Sequence, residues 1–125
     1  MPTVSQIAND LVDLCRQGQF TAVIDKHYAD DIVSIEPVES PTSPKRQEGI
    51  EAIRGKNRWW VDNHEVHGAS VEGPFVSEEQ FAVRFKFDVT FKPTGNRMQM
   101  TEMALYTVKD GKIAQEEFFY NMPGT

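Results

Sequence analysis

The sequence is poor in cysteine, in basic residues and in long apolar runs, and each shortage excludes a class of protein. Cys15 is the single cysteine, so neither an intrachain disulfide nor a cluster of thiolate metal ligands can form. The formal net charge of −6 disfavours nucleic acid as a partner, because phosphate binding requires a basic surface. No segment has the pattern of a membrane span or a signal peptide, so we expect a cytoplasmic protein that does not bind membranes.

The apolar residues that are present suffice for one core. They make up 39% of the 125 residues, and a second core would leave too little sequence for each. We therefore predict one domain over 1–125. Apolar residues recur at helical intervals in the first half of the chain and alternate with polar residues in the second half. Helices grouped early and strands grouped late predict an α+β fold, with three helices packed on a curved, mainly antiparallel sheet.

The boundaries of the predicted elements follow from capping and turn residues. Three helices are predicted: from a capping box of Thr3 and Gln6 to Gly18, from Gln19 to Tyr28, and from Gly49 to His64. A short strand over 32–36 and a proline-rich loop over 37–48 separate the second and third helices. Four further strands are predicted over 71–76, 81–91, 97–108 and 112–121, the last two joined at Asp110-Gly111.

Two glutamates interrupt otherwise apolar strand faces. Glu102 lies among the inward set of one strand, and Glu116 lies among Ala114, Phe118 and Tyr120 of the next. A carboxyl group on an apolar wall is desolvated, which raises its pKa and suits it to proton transfer near neutral pH. The alternative is that each lies at the solvent rim or pairs with an arginine, since glutamate is seldom buried unpaired.

The connection between these two strands decides whether both glutamates face the same way. A three-residue loop of Lys109-Asp110-Gly111 places Glu102 and Glu116 on one face. A two-residue Asp-Gly turn places them on opposite faces of regular strands. The apolar neighbours favour the first arrangement.

A third acid, Glu36, ends the first predicted strand beside Pro37, where it would reach the mouth of a cavity between sheet and helices; the alternative is an exposed strand-end acid. These three glutamates are the candidate catalytic residues. The predicted lining of the pocket comprises Phe81, Val83, Phe85, Phe87, Tyr106, Phe118 and Tyr120 from the sheet, and Leu11, Tyr28 and Trp60 from the helical side.

Cofactor motifs are lacking. His64 and His67 have a spacing that could bind a metal, but no third ligand lies nearby in the sequence. There is no glycine-rich phosphate loop, nucleophile elbow or Ser/His/Asp motif. We therefore expect neither a metal nor a cofactor.

Several local motifs resemble the nuclear transport factor 2-like superfamily, and particularly its SnoaL-like branch. They are Tyr28-Ala29-Asp30-Asp31 running into Glu36-Pro37, Gly49-Ile50-Glu51-Ala52-Ile53, and Asp110-Gly111-Lys112-Ile113 with the closing Phe118-Phe119-Tyr120. The resemblance covers nearly the whole chain. It implies a cone-shaped α+β barrel and commonly a homodimer through the outer face of the sheet. Its members include polyketide cyclases, ketosteroid isomerases, epoxide hydrolases, dehydratases and proteins without demonstrated activity.

The ketosteroid isomerase site carries over only in part. In those enzymes an aspartate-proline supplies the general base, and Glu36-Pro37 occupies that place here. The oxyanion-hole tyrosine would fall near Leu11, and the protonated aspartate would fall at Met103 or Ala104, none of which can donate a hydrogen bond. Each missing donor typically costs ~10²–10³ in rate. We therefore expect no ketosteroid isomerase activity.

Two functions rank first on the sequence, ahead of a third possibility, a dimerisation module whose cavity is filled by side chains. One is a cofactor-independent isomerase, cyclase, dehydratase or hydrolase, in which Glu36 or Glu116 takes a proton next to a carbonyl group or activates water on a small apolar or polycyclic compound, with a second acid or Tyr120 stabilising the oxyanion. The other is a small-molecule-binding or accessory protein with the same pocket and no chemistry, because fold-level resemblance does not establish a reaction.

Overall fold

The computed structural model describes residues 1–39 and 44–121. The helices are α1 (Val4–Arg16), α2 (Phe20–His27) and α3 (Ile50–Asn63). The strands are β1 (Tyr28–Ile35), β2 (Arg46–Glu48), β3 (His64–Val76), β4 (Gln80–Phe91), β5 (Asn96–Lys109) and β6 (Lys112–Phe119). They form one six-stranded sheet in the order β2-β1-β6-β5-β4-β3, antiparallel except where β1 and β6 run parallel. The α+β fold of three helices on a curved sheet is confirmed.

The first helix begins where its cap predicts. Thr3 accepts a hydrogen bond from the Gln6 backbone N–H, and the Gln6 side chain accepts one from the Thr3 N–H, which completes the capping box. Gly18 follows the helix with a φ of 74°, a conformation that glycine adopts without steric cost. The buried face of α1 contributes Ile7 and Leu11 to a core shared with the sheet. The predicted start and end of this helix are thus confirmed.

Three predicted boundaries are wrong. Residues 28–31 belong to β1 rather than to the end of a helix and a break, because Tyr28 pairs with Ile113 of the parallel strand β6. The predicted loop over 37–48 contains the short strand β2, which pairs antiparallel with the end of β1; its residues 40–43 lie outside the described part of the chain. His64 begins β3 instead of ending α3, and β3 starts well before residue 71.

The reason for the early start of β3 is its position in the sheet. Residues 64–70 pair with β4 at the edge and are mostly exposed, so they carry no apolar alternation from which a strand could be recognised. The central strand β4 buries alternate residues, from Phe81 to Val89, as its pattern predicts.

Within 1–39 and 44–121, no helix is both long and apolar enough to cross a bilayer.

Candidate functional site

A cavity of about 530 Å³ lies between the helices and the inner face of the sheet. Volumes of ~300–1,000 Å³ are typical of small-molecule sites. Eleven of the thirteen predicted site residues line it, three acids and eight apolar or aromatic residues: Glu36, Glu102, Glu116, Leu11, Tyr28, Trp60, Phe85, Phe87, Tyr106, Phe118 and Tyr120. The sequence therefore placed these side chains around one cavity, while their roles remain predictions.

Phe81 and Val83 do not line this cavity, contrary to prediction. Both are fully buried in the core, and the ring of Phe81 stacks on that of Tyr106 with centroids 4.9 Å apart. They share the inward face of β4 with Phe85 and Phe87 but lie closer to its first residue. Alternation thus marks the inward face of the strand without marking where the cavity begins.

A β-bulge in β6 places Glu102 and Glu116 on the same face. The connection is the two-residue turn Asp110-Gly111, with φ angles of 52° and 76°, not the three-residue loop that the apolar pattern favoured. The pairing register then shifts, from Val108 with Ile113 to Tyr106 with Glu116. The extra residue reverses the alternation of β6, so Glu116 points inward like Glu102.

The bulge also corrects the predicted inward set of β6. Ile113, with none of its surface exposed, takes the buried position before the bulge that the alternation had assigned to Ala114. Glu116 and Phe118 keep their predicted places on the cavity side. The sequence prediction of a shared face was therefore right, although the geometry that achieves it differs.

Glu116 is a buried acid with partners on the neighbouring strand. Its side chain is 4% exposed, and burial raises its pKa to about 7. The nearby ammonium of Lys56 and the hydrogen bonds from the Tyr28 and Ser34 hydroxyls oppose this rise, whereas the Glu36 carboxylate adds to it. Ser34 pairs with Glu116 across the parallel strands, which explains how its hydroxyl reaches the acid.

Glu102 is a partly buried acid that pairs with Phe85 in the adjacent strand. Its pKa is raised to about 7, first by burial and then by the carboxylates of Glu36 and Glu116, while Lys56 acts in the opposite direction. No hydrogen bond joins its side chain to a described protein group. Its carboxyl group is therefore the acid of the three that a ligand in the cavity could engage without displacing a partner.

The carboxyl group of Glu36 is bound by two side chains. Lys56 forms an ion pair with Oε1, and the Tyr120 hydroxyl donates a hydrogen bond to Oε2 at 2.8 Å. The pKa of Tyr120 is raised, first by burial and then by the Glu36 charge. Because both of its oxygens are occupied, Glu36 is better placed to hold Lys56 and Tyr120 than to accept a proton from a ligand.

Lys56 of α3 is the residue that the sequence interpretation missed. Its ammonium pairs with Glu36, donates to Ser34 Oγ at 2.8 Å and lies 5.0 Å from the centroid of the Phe118 ring. A signal was available, because Lys56 is three residues after Ile53 and four before Trp60, on the helix face that turns to the cavity. Tyr120 and Lys56 both donate to Glu36, and Lys56 also donates to Ser34. The Ser34 and Tyr28 hydroxyls donate to Glu116, so one polar network joins these six side chains.

Aromatic rings cover the part of the cavity next to α3. Trp60 stacks on His64 with ring centroids 4.4 Å apart and contacts Phe87 at 5.5 Å. The spacing of His64 and His67 is compatible with metal binding. In the structure, however, His67 Nε2 lies 2.7 Å from Thr90 Oγ1 on the exposed surface. Among residues 1–39 and 44–121, no group of three His, Cys, Asp or Glu side chains is arranged to bind a metal.

The cavity is thus lined by two kinds of surface, one polar and one mainly apolar. One wall carries three carboxyl groups next to the Lys56 ammonium, and the rest is mainly apolar. Such a site can bind a compact apolar molecule, orient a carbonyl oxygen towards Lys56 and exchange a proton with Glu102.

Comparison with known proteins agrees with this architecture. A protein from Mesorhizobium loti, described as a proposed SnoaL-like polyketide cyclase and carbohydrate phosphatase, is 52% identical over 95% of this chain and 100% of its own, with a TM-score of 0.90. No curated protein matches the chain.

Two more distant structures share the fold alone. A cystatin-like protein of unknown function from Xanthomonas campestris is 15% identical over 97% of this chain and 92% of its own, with a TM-score of 0.77. A nuclear transport factor 2-like protein of unknown function from Burkholderia pseudomallei is 16% identical over 97% and 92%, with a TM-score of 0.75. The profile of the SnoaL-like domain matches residues 2–120. The chain therefore belongs to the SnoaL-like family within the nuclear transport factor 2-like fold.

Proposed function

We propose that this protein is a cofactor-independent enzyme that moves a proton next to the carbonyl group of a small, largely apolar compound. The observation that carries the proposal is the position of Glu102, a carboxyl group without a described hydrogen-bond partner that faces an apolar cavity beside the Lys56 ammonium. A base whose pKa lies near the working pH combines a useful fraction of carboxylate with enough basicity to take a weakly acidic proton.

The proposed reaction begins with the transfer of a proton from the substrate to Glu102. The Glu102 carboxylate takes a proton from the carbon next to the carbonyl group, and the electron pair of that C–H bond forms a carbon–carbon double bond. The carbonyl oxygen gains the charge of an enolate, which the Lys56 ammonium stabilises by a hydrogen bond. Glu102, now a carboxylic acid, returns its proton to the same carbon or to another. Alternatively, the enolate carbon attacks a second carbonyl group of the same molecule, whose π electrons move to its oxygen, and this alkoxide takes the proton from Glu102.

The remaining polar groups position this pair. Glu36 and Ser34 hold the Lys56 ammonium from two directions, and Tyr120 holds Glu36. The two outcomes of the enolate correspond to an isomerase and to a cyclase. The 52% identical relative is described as a proposed polyketide cyclase, which supports the second.

Hydrogen–deuterium exchange tests the proposal without knowledge of the substrate. 1-Tetralone, a bicyclic ketone small enough for the cavity, would be incubated with the protein in D₂O, and loss of its C2 proton signal followed by NMR. We expect exchange above the buffer rate, reduced ~10²–10⁴-fold in Glu102→Gln. Glu117→Gln is the matched control, because Glu117 pairs with Leu105 on the outer face of the sheet. Equal rates in the wild-type protein and Glu102→Gln would contradict the proposal.

Binding without chemistry is the second candidate function. It is supported by the closed set of contacts among Glu36, Lys56 and Tyr120, which needs no ligand to complete it. Binding of 1-tetralone, with exchange no faster than in buffer, would favour this function.

We also propose that two copies associate through the outer face of the sheet. Several apolar side chains of this face are exposed, with Met103 40%, Phe119 48% and Phe75 63% accessible. In the sheet, Met103 pairs with Phe119 of β6 on one side and with Arg84 of β4 on the other. Arg84 Nη1 forms an ion pair with Glu72 Oε2 at 3.6 Å. An apolar patch flanked by both signs of charge is complementary to itself after a twofold rotation.

A further inference from the structure

We infer that the aromatic part of the cavity, formed by Trp59, Trp60, His64 and Phe87, binds an aromatic ring that carries a hydroxyl group, and that His64 Nε2 accepts a hydrogen bond from that hydroxyl group. This inference names a substrate class for the site of the proposed function and therefore rests on that site being occupied by a ligand. It does not depend on whether chemistry follows binding.

The tautomer of His64 is determined by its contact with the end of α3. Nδ1 lies 2.8 Å from the Trp60 backbone oxygen, and a carbonyl oxygen can only accept, so Nδ1 carries the proton. In the neutral ring Nε2 is then an acceptor with a free lone pair. Within the described residues, no protein group donates to Nε2. His64 lines the cavity, so it brings to that region a hydrogen-bond acceptor to which no described protein group donates.

The rings around His64 restrict the shape of the ligand. The imidazole is stacked on Trp60, with 12° between the planes, and Trp59 approaches it edge-on with centroids 6.1 Å apart. These side chains offer few hydrogen bonds to a polar ligand, but they present flat faces and edges to another ring. An aromatic hydroxyl compound supplies both a flat ring and the donor that Nε2 lacks.

A series of rings connects this region to the proton-transfer groups. Trp60 contacts Phe87, and the rings of Phe87 and Phe85 are stacked with centroids 5.8 Å apart. Phe85 pairs with Glu102 in the sheet. A flat molecule lying along these rings would present its hydroxyl group to His64 and a distant carbon to Glu102. The hydroxyl group would thus determine which carbon meets the base.

Labelling the histidine rings with ¹⁵N tests the inference directly. The probes are 2-naphthol, which has a donor, and 2-methoxynaphthalene, which has the same ring system and none. At pH 8, where ordinary imidazoles are neutral, 2-naphthol should shift the Nε2 resonance of His64 upfield, while 2-methoxynaphthalene leaves it nearly unchanged. The chain has two tryptophans, both in this region, so both probes should alter tryptophan fluorescence.

A matched pair of variants measures the contribution of the acceptor. The wild-type protein should bind 2-naphthol about threefold to tenfold more tightly than 2-methoxynaphthalene, the usual effect of one hydrogen bond. His64→Phe keeps a ring for stacking and should abolish the preference. His67→Phe should preserve it, because His67 lies on the exposed surface against Thr90.

Two results would overturn the inference: equal affinities for both probes in the wild-type protein, or a 2-naphthol-induced shift at His27 or His67 instead of His64. The proposed proton transfer is tested separately, since 1-tetralone carries no hydroxyl group and its exchange does not require His64. Exchange with no hydroxyl preference would refute this inference alone, and a hydroxyl preference without exchange would refute the proposed chemistry alone.

Discussion

The ammonium of Lys56 donates a hydrogen bond to the buried hydroxyl of Ser34 at 2.8 Å. This contact joins α3 to β1 inside the cavity and, together with the ion pair to Glu36, fixes a positive charge among three carboxyl groups. Since an apolar cavity strengthens electrostatic interactions, this charge would act strongly on an oxyanion that forms beside it.

Replacing Lys56 by methionine should therefore impair both proton exchange and stability. The variant keeps the length of the side chain and loses the charge. We expect 1-tetralone exchange to fall ~10²–10³-fold, as for loss of an oxyanion donor. Removing the partner of the partly buried Glu36 should lower the free energy of unfolding by about 1–3 kcal/mol, between the values for surface and fully buried pairs. NMR exchange and urea denaturation measure the two effects.

The control for this variant is Lys26→Met. Lys26 forms an ion pair with Asp10 at 2.8 Å, and neither residue lines the cavity. Its loss should cost less than about 1 kcal/mol and leave exchange unchanged. A Lys56→Met protein with full exchange activity would remove Lys56 from the proposed step.

The rate of exchange should depend on pH through Glu102. The carboxylate is the active form, and burial raises the pKa of Glu102 to about 7. Exchange should therefore increase from pH 5 through 7 and level off above about 8. The rise should be broad because Glu102 and Glu116 titrate as an interacting pair. A midpoint near 4.5, the ordinary value for glutamate, would show that the base is not desolvated.

Stability should decrease with pH for the same physical reason. Between about pH 4.5 and 7 the folded protein binds more protons than the unfolded chain, because the folded pKa of Glu102 is the higher one. The free energy of unfolding then falls as pH rises through this window. Glu102→Gln removes the penalty, so it should be about 1–3 kcal/mol more stable than the wild-type protein at pH 8.

Urea denaturation of both proteins at pH 4 and pH 8 measures this difference. The gap should nearly close at pH 4, where the wild-type Glu102 is protonated in the folded state. Glu117→Gln, on the outer face, serves again as the control. A Gln variant that is less stable than the wild-type protein at pH 8 would indicate that Glu102 makes a favourable contact as an anion.

The oligomeric state should depend on the outer face of the sheet. Met103→Glu places a negative charge from each copy in the proposed interface, so the chain should sediment as a monomer where the wild-type protein sediments as a dimer. Val66→Glu is a suitable control because Val66 is as exposed, at 43%, but lies on the edge strand β3. A monomeric wild-type protein at micromolar concentration, or a dimeric Met103→Glu variant, would contradict the proposal.

Much of the fold was predictable because its signals are local. The capping box of Thr3 and Gln6 and the alternation from Phe81 to Val89 each depend on residues within a few positions of one another. The wrong boundaries have the opposite cause. Residues 28–31 and 64–70 belong to strands because a strand distant in sequence pairs with them. Their own composition contains no signal of that pairing.

By itself the sequence determined which acids interrupt apolar strands, since an acid among hydrophobic residues is visible without coordinates. Only the tertiary structure decided which side chains those acids contact. Lys56 reaches Glu36 and Ser34 from 20 and 22 positions away, and the bulge in β6 turns Glu116 inward although its hairpin turn alone would send it out. Alternation fixes side-chain direction only while the register is unbroken, and a single unpaired residue reverses it.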